Sequence, residues 1–190
     1  MSKFRPQRGV TLIELMITVA IVAVLASLAA PSFRDSIVRN RLSGYNSDFI
    51  TAINLARSES IKRGQTVTMC RSADGTSCAA TGGWEQGWIV FADNDADGTV
   101  DTAAPADVVV RSWPALADGY TLRSSTLAAN IRYNARGLAH GAGDFILCQG
   151  GTLTTAKAVI VTLTRPRVAS NGADSTPDND AGANYTSCTP

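Results

Sequence analysis

Gly9-Val10-Thr11-Leu12-Ile13-Glu14-Leu15-Met16-Ile17-Thr18-Val19-Ala20-Ile21-Val22-Ala23-Val24-Leu25-Ala26-Ser27-Leu28-Ala29-Ala30 is the stretch on which the reading of this chain turns. From Val10 to Ala30 it holds 21 residues and one charge, Glu14. As a helix rising about 1.5 Å per residue it would reach about 31 Å, the thickness of one bilayer core. The preceding residues carry Lys3, Arg5 and Arg8 and no acid. That asymmetry predicts a leader on the cytoplasmic side and the rest of the chain across the membrane. A secretory signal peptide or a plain anchor would share these features, and Ala26 to Ala30 loosely mimics a signal-peptidase site. Glu14 separates the readings. A carboxylate in an apolar span costs on the order of 2–3 kcal/mol, less near an end, and a simple anchor has no use for one.

Downstream of Pro31 the pattern stays helical and becomes amphipathic, with Tyr45, Phe49, Ala52, Ile53, Ala56 and Ser60 on one face. Lys62-Arg63-Gly64 is a helix stop, so one helix is expected from about Val10 to Arg63. Beyond it the signals are of strands: Thr66–Arg71, Trp88–Ala92, Val108–Trp113, Tyr120–Arg123, Ile131–Asn134, Phe145–Gln149 and Ala158–Thr164. No helical pattern separates them, which predicts antiparallel pairing. Residues 169–190 read as a polar loop or tail. The expected fold class is α+β, a long N-terminal helix packed on an antiparallel β-sandwich or sheet domain. The expected organisation is a leader over 1–9, a membrane or filament-core helix over 10–30, an amphipathic helix over 31–64 and a β domain over 65–190.

Gly9-Val10-Thr11-Leu12-Ile13-Glu14 resembles the processing signal of type IV prepilins and type II secretion pseudopilins. The resemblance implies cleavage after Gly9 by a prepilin peptidase, methylation of the new N-terminus at Val10, and a role for Glu14 in meeting the terminal amine of a neighbouring subunit. Pro31 corresponds to the family's helix-kinking proline. Val10 departs from the usual phenylalanine. Leu55-Ala56-Arg57-Ser58-Glu59-Ser60-Ile61-Lys62-Arg63-Gly64, Gly87-Trp88-Ile89-Val90-Phe91-Ala92-Asp93 and Ile131-Arg132-Tyr133-Asn134-Ala135-Arg136-Gly137 are similar to the GspH/FimT family. The function so implied is a minor pilin, a structural subunit assembled with other pilins into a type IV pilus. The same architecture serves the pseudopilin H of type II secretion. Either would sit in the bacterial inner membrane by a single pass, with its C-terminal domain in the periplasm.

Composition leans the same way. Hydrophobic residues make up 45% of the chain, enough for a core, and charged residues 17%. A catalytic histidine could only be His140, and HExxH, GxSxG, P-loop and GxGxxG motifs do not occur. An enzyme is not expected, and no cofactor is. Net charge is +1; removing Lys3, Arg5 and Arg8 leaves 14 basic against 16 acidic residues, near −2.

Three local features remain. Cys70, Cys78, Cys148 and Cys188 allow three pairings. The expected pair Cys70–Cys78 would close a tight turn containing Asp74-Gly75, and Cys148–Cys188 would tie the polar tail to a strand. Zinc is the alternative, but CxxC spacing and a nearby histidine are lacking. Asp93-Asn94-Asp95-Ala96-Asp97-Gly98 resembles the start of an EF-hand loop, with Asp101 as a further oxygen donor. Ala104 stands where the loop's glutamate belongs and no helix follows, so a plain Asp/Asn/Gly turn is the expected reading and a calcium site the lesser alternative. Between Arg123 and Arg167 lie Arg123, Arg132, Arg136, Lys157, Arg165 and Arg167 with one acid, Asp144. If Arg165 and Arg167 extend a strand, both face one side about 6.6 Å apart. Thr164-Arg165-Pro166-Arg167 is similar to the Gly-Arg-x-Arg motif of DNA-uptake minor pilins, with Thr for Gly. The resemblance implies double-stranded DNA as a partner, held by Arg165, Arg167, Arg132, Arg136 and Lys157; a solvated face or contacts to neighbouring pilins are the alternatives.

Overall fold

The computed structural model describes residues 9–169, 176–179 and 182–188, without the side chains of residues 28–32. The leader before Gly9, the expected kink at Pro31 and parts of the tail lie outside the described residues. The chain divides into two units, residues up to Arg39 and residues from Asn40 on. The division falls within the expected 31–64 segment because Leu42 is the first buried side chain of the helix among the described residues.

Helix α1 (Leu12–Arg63) runs for 52 residues. Thr11 starts it: its Oγ1 accepts the Glu14 N–H at 3.3 Å and its carbonyl accepts the Leu15 N–H at 3.1 Å. These contacts occupy amide donors that a helix start otherwise leaves unpaired. Gly64 ends it with a φ of 66°, in the left-handed region, donating to the Ser60 carbonyl. Lys62 and Arg63 fold back on Glu59 at 3.4 and 2.7 Å. Among the described residues no helix is long and apolar enough to cross a membrane.

In the second unit Leu42, Asn46, Phe49, Ala52, Ile53, Ala56 and Ser60 form one buried face of α1. The spacings of three, four and seven residues put them on one side of the helix. Two four-stranded antiparallel sheets share the core with it. The first has the order β3-β2-β1-β5, from β1 (Val67–Arg71), β2 (Trp88–Ala92), β3 (Val108–Trp113) and β5 (Asn130–Tyr133). The second has the order β4-β6-β7-β8, from β4 (Tyr120–Arg123), β6 (Gly143–Gln149), β7 (Thr152–Val161) and β8 (Pro166–Val168). Phe49 is the pivot, its ring 5.2 Å from Trp88 of the first sheet and 4.7 Å from Phe145 of the second. Edge-on aromatic pairs of this kind add about 0.5–1.5 kcal/mol beyond burial.

The central strands are buried on both faces, which their near-continuous apolar sequences require. In the first sheet Cys70, Ile89 and Phe91 point away from the helix and are covered by Cys78 and Val100. In the second, Ile146, Cys148, Ala156, Ala158 and Ile160 are covered by Ala169, Tyr185 and Cys188 of the tail. The last expected strand, Ala158–Thr164, is displaced. β7 begins at Thr152 and ends at Val161, and residues 162–165 turn into β8. Thr162 fixes that turn by donating to the Arg165 carbonyl at 2.8 Å, and Pro166 opens an edge strand where its missing N–H costs nothing.

Candidate functional site

Three residues of the expected processing signal, Gly9, Val10 and Glu14, lie at the N-terminal end of α1. A Cβ built on Gly9 would meet nothing within 4 Å, so the fold has no packing reason for glycine there. Val10 is exposed one residue before the capping Thr11. Glu14 lies exposed in the first turn, where a carboxylate complements the helix dipole. Thr11-x-x-Glu14 has the spacing of a capping box, the signal by which Thr11 could have been found from sequence. Every large apolar residue from Val10 to Leu25 is more than half exposed, from Leu12 at 78% to Ile17 and Ile21 at 54%.

The cysteines pair as Cys70–Cys78, with an S–S distance of 2.00 Å, and Cys148–Cys188, at 2.03 Å. Each bridge joins an outward-facing cysteine of a central strand to the segment covering that face. The first cover is braced by Asp74, whose Oδ1 accepts the Thr76 and Ser77 N–H groups and whose Oδ2 accepts the Ser77 hydroxyl. Those bonds, the Ser77 hydroxyl foremost, hold its carboxyl well below the usual range. The second cover is fixed by the Tyr185 hydroxyl donating to Asp144.

The loop between β2 and β3 brings Asp93, Asp95 and Asp97 together, one carboxylate oxygen of each lying within 4.8 Å of the others. Asp101 is not part of this group. Asp93 is 1% exposed. Its Oδ2 accepts the Thr68 hydroxyl at 2.6 Å and the Gly98 N–H at 3.1 Å, whereas its Oδ1 has no hydrogen-bond partner. Burial pushes its carboxyl up, against the pull of the Thr68 hydroxyl and the Ala96 and Gly98 amides. Asp95 Oδ1 accepts the Asp97 N–H, and Asp97 Oδ1 the Thr99 N–H. Gly98 has a φ of 87°, and a Cβ there would lie 2.7 Å from the Asn130 amide.

The basic residues do not form one face. Arg123 is paired with Glu85. Arg132 is half-buried and gives its Nη1 to the Ala96 carbonyl at 2.6 Å, on the acidic loop. Lys157 is half-buried in β7, opposite Leu147. Arg136 and Arg165 are exposed in turns that adjoin, since Ala139, just past the first turn, donates to the Leu163 carbonyl of the second. Arg167 is exposed in the middle of β8, so it and Arg165 are not neighbours at the end of one strand. His140 is exposed on a cleft of about 290 Å³ lined by Thr126, Leu127, Asn130 and Arg132, among others, with no carboxylate in its described lining.

An exposed apolar helix with a carboxylate in its first turn, continuing into a helix-and-two-sheet domain, defines a pilin-type subunit. The type IV minor pilin FimU of Pseudomonas aeruginosa, in its P21 crystal form, shares the fold at a TM-score of 0.57 and 17% identity, over 79% of this chain and 96% of that one. A fimbrial protein of Pseudomonas aeruginosa is 36% identical over 63 residues, 33% of this chain and 40% of its own. The type IV major fimbrial protein FimA of Dichelobacter nodosus is 54% identical over 37 residues, 20% of this chain and 23% of its own. The chain thus spans about a quarter to two fifths of the curated relatives it matches. The prokaryotic N-terminal methylation motif matches residues 4–30, and the family described as type II transport protein GspH matches residues 46–165, more than half of the chain. The chain belongs to the GspH family. It is a type IV pilin-like structural subunit, and its family and fold are those of structural pilins rather than enzymes.

Proposed function

We propose that the chain is a minor pilin that takes part in the assembly and initiation of a type IV pilus. In this reading a prepilin peptidase cuts after Gly9 and Val10 becomes the methylated N-terminus. The apolar helix then holds the protein in the bacterial inner membrane, with the β domain in the periplasm, until it enters the filament. Glu14 meets the terminal amine of a neighbouring pilin there. The observation that carries the reading is the first half of α1. Between Val10 and Leu25 the chain has eleven large apolar side chains more than half exposed and a lone carboxylate near the proposed cut, a surface that needs other helices or lipid to cover it. A deletion strain scored together for piliation and secretion tests it. Loss of pili with normal secretion is expected. Intact pili with lost secretion would assign the chain as pseudopilin H of a type II system, the reading favoured by the family's own description.

The same subunit is proposed to capture double-stranded DNA for natural transformation. Arg165 and Arg136 on adjoining exposed turns, with Arg167 on the edge strand, support phosphate contacts; Lys157 and the already engaged Arg132 are at most secondary. Arg165→Ala with Arg167→Ala should weaken duplex binding of the detergent-solubilised chain and flatten its log–log salt slope by about 0.9 per lost contact. A wild-type chain that binds no duplex at low salt would overturn the DNA reading and leave the filament reading standing.

A further inference from the structure

We propose that the loop between β2 and β3 is a calcium site in which Asp93 Oδ1, Asp95 and Asp97 are the carboxylate ligands. The proposal is independent of filament membership and of DNA.

Three carboxylates brought together are common at protein surfaces and say little alone. What distinguishes this group is Asp93. It is 1% exposed, and while Oδ2 takes two hydrogen bonds, Oδ1 takes none. A buried carboxylate oxygen without a partner is costly, and folded proteins satisfy nearly all such atoms with protein, water or an ion. The acidic groups gathered beside it, Asp95 and Asp97, offer oxygens and no donor, and the Arg132 guanidinium that reaches this loop gives its Nη1 to the Ala96 carbonyl. A cation among the three meets the unpaired oxygen and removes their mutual repulsion together.

The geometry suits a large, hard cation. Three oxygens no more than 4.8 Å apart can share a point about 2.8 Å from each, so a contraction of a few tenths of an ångström reaches the 2.3–2.6 Å of calcium–oxygen bonds. Backbone N–H groups of the loop hold the carboxylates, Gly98 donating to Asp93, Asp97 to Asp95 and Thr99 to Asp97, and the Thr68 and Thr99 hydroxyls donate to Asp93 and Asp97. The turn is thus wound around the group, with Gly98 supplying the left-handed bend at the sixth position. Thr99 and Asp101 stand at the seventh and ninth positions, which in calcium loops give a backbone carbonyl and a water-borne ligand. Asp101 and Asp107 add negative potential, and Asp101's carboxyl is pushed up by partial desolvation first and then by the other aspartates. Magnesium, which demands a tight octahedron at about 2.0–2.1 Å, fits three widely spaced side chains poorly. Ala104 in place of the bidentate glutamate removes two oxygens, so the affinity should fall in the weak class suited to extracellular concentrations, about 10⁻⁴–10⁻³ M.

The test uses the full chain in detergent micelles, stripped of metal with a chelator and titrated with CaCl2 or MgCl2. Calcium should give a saturable binding heat, and 10 mM CaCl2 should raise Tm by about 3–6 °C. The Gly98 amide should shift among the most of any resonance. Asp95→Asn with Asp97→Asn keeps acceptors for the loop's N–H groups and should weaken calcium binding at least tenfold. No saturable heat with an unchanged Tm in the wild type would overturn the site, as would an equal response to MgCl2 or an unweakened response in the double variant. The wild-type titration and the Gly98 shift decide the matter even if the double variant folds poorly.

Discussion

In the first half of α1, Leu12, Ile13 and Met16 are 78, 68 and 63% exposed; in the second half, Phe49, Ile53 and Ala56 are at most 1% exposed. Both halves are regular helix made of similar residues. The difference lies in what this chain supplies to cover them. The second half spaces its apolar residues on one face, and two sheets close over that face. The first half is apolar on every side, and its large apolar side chains from Leu12 to Leu25 all stay more than half exposed. On the function proposed above, other pilins or a membrane cover the first half, while the second unit is held by its own core. One consequence is that changes in the two halves should be read by different experiments.

The largest effect expected separates the halves directly. Phe49→Ala removes the ring that meets Trp84, Trp88 and Phe145 and should cost about 3–5 kcal/mol of unfolding free energy. Leu15→Ala, at a position 59% exposed, should leave the thermal unfolding of the full chain in detergent unchanged. Equal losses from the two would break the comparison. Next come the two covers, which act on the second unit alone. Replacing Cys148 and Cys188 by serine opens a loop with a 40-residue separation and should cost about 4 kcal/mol in the chain-entropy model. The 8-residue Cys70–Cys78 bridge should cost about 2–3 kcal/mol. Denaturant titrations of both pairs check the order, and a larger cost for the short loop would contradict it. The smallest effect is that of Asp74. Its folded carboxyl is held below the usual aspartate range by the Ser77 and Thr76 hydrogen bonds, so its contribution is present above that range and is lost as pH falls through and below it. Asp74→Asn should lower stability modestly across the neutral region and flatten the acid limb of the profile, as read by thermal unfolding at several pH values.

Much of this architecture is written locally. The helix end at Arg63 is spelled by two cations and a glycine, and Trp88–Ala92, Val108–Trp113 and Tyr120–Arg123 begin and end where turn residues bound them. The misplaced boundaries have physical causes. Thr152–Lys157 lacks a clean alternation because its burial is set partly by the tail, and β8 is a three-residue edge strand opened by proline. What covers the outer faces of the sheets was legible only as cysteines needing partners. The fate of Arg132 was not legible, because its acceptor is a carbonyl 36 residues away. Thr11 is legible as a helix cap from the glutamate three residues on. The Asp93 group could be read as a motif, but that one oxygen is buried and unpaired is visible only in three dimensions.

The central claim is that the first half of α1 is specified for other subunits, with Glu14 as its assembly contact. Incorporation of Glu14→Val measures this most directly, by immunoblot of whole cells and sheared filaments beside a Gly9→Val control. Gly9→Val should keep its leader, since the fold leaves room for the side chain and only the peptidase would be obstructed. Glu14→Val should be cut normally, fold normally and be absent from the sheared filaments. Glu14→Val present in filaments at the wild-type level would contradict the account.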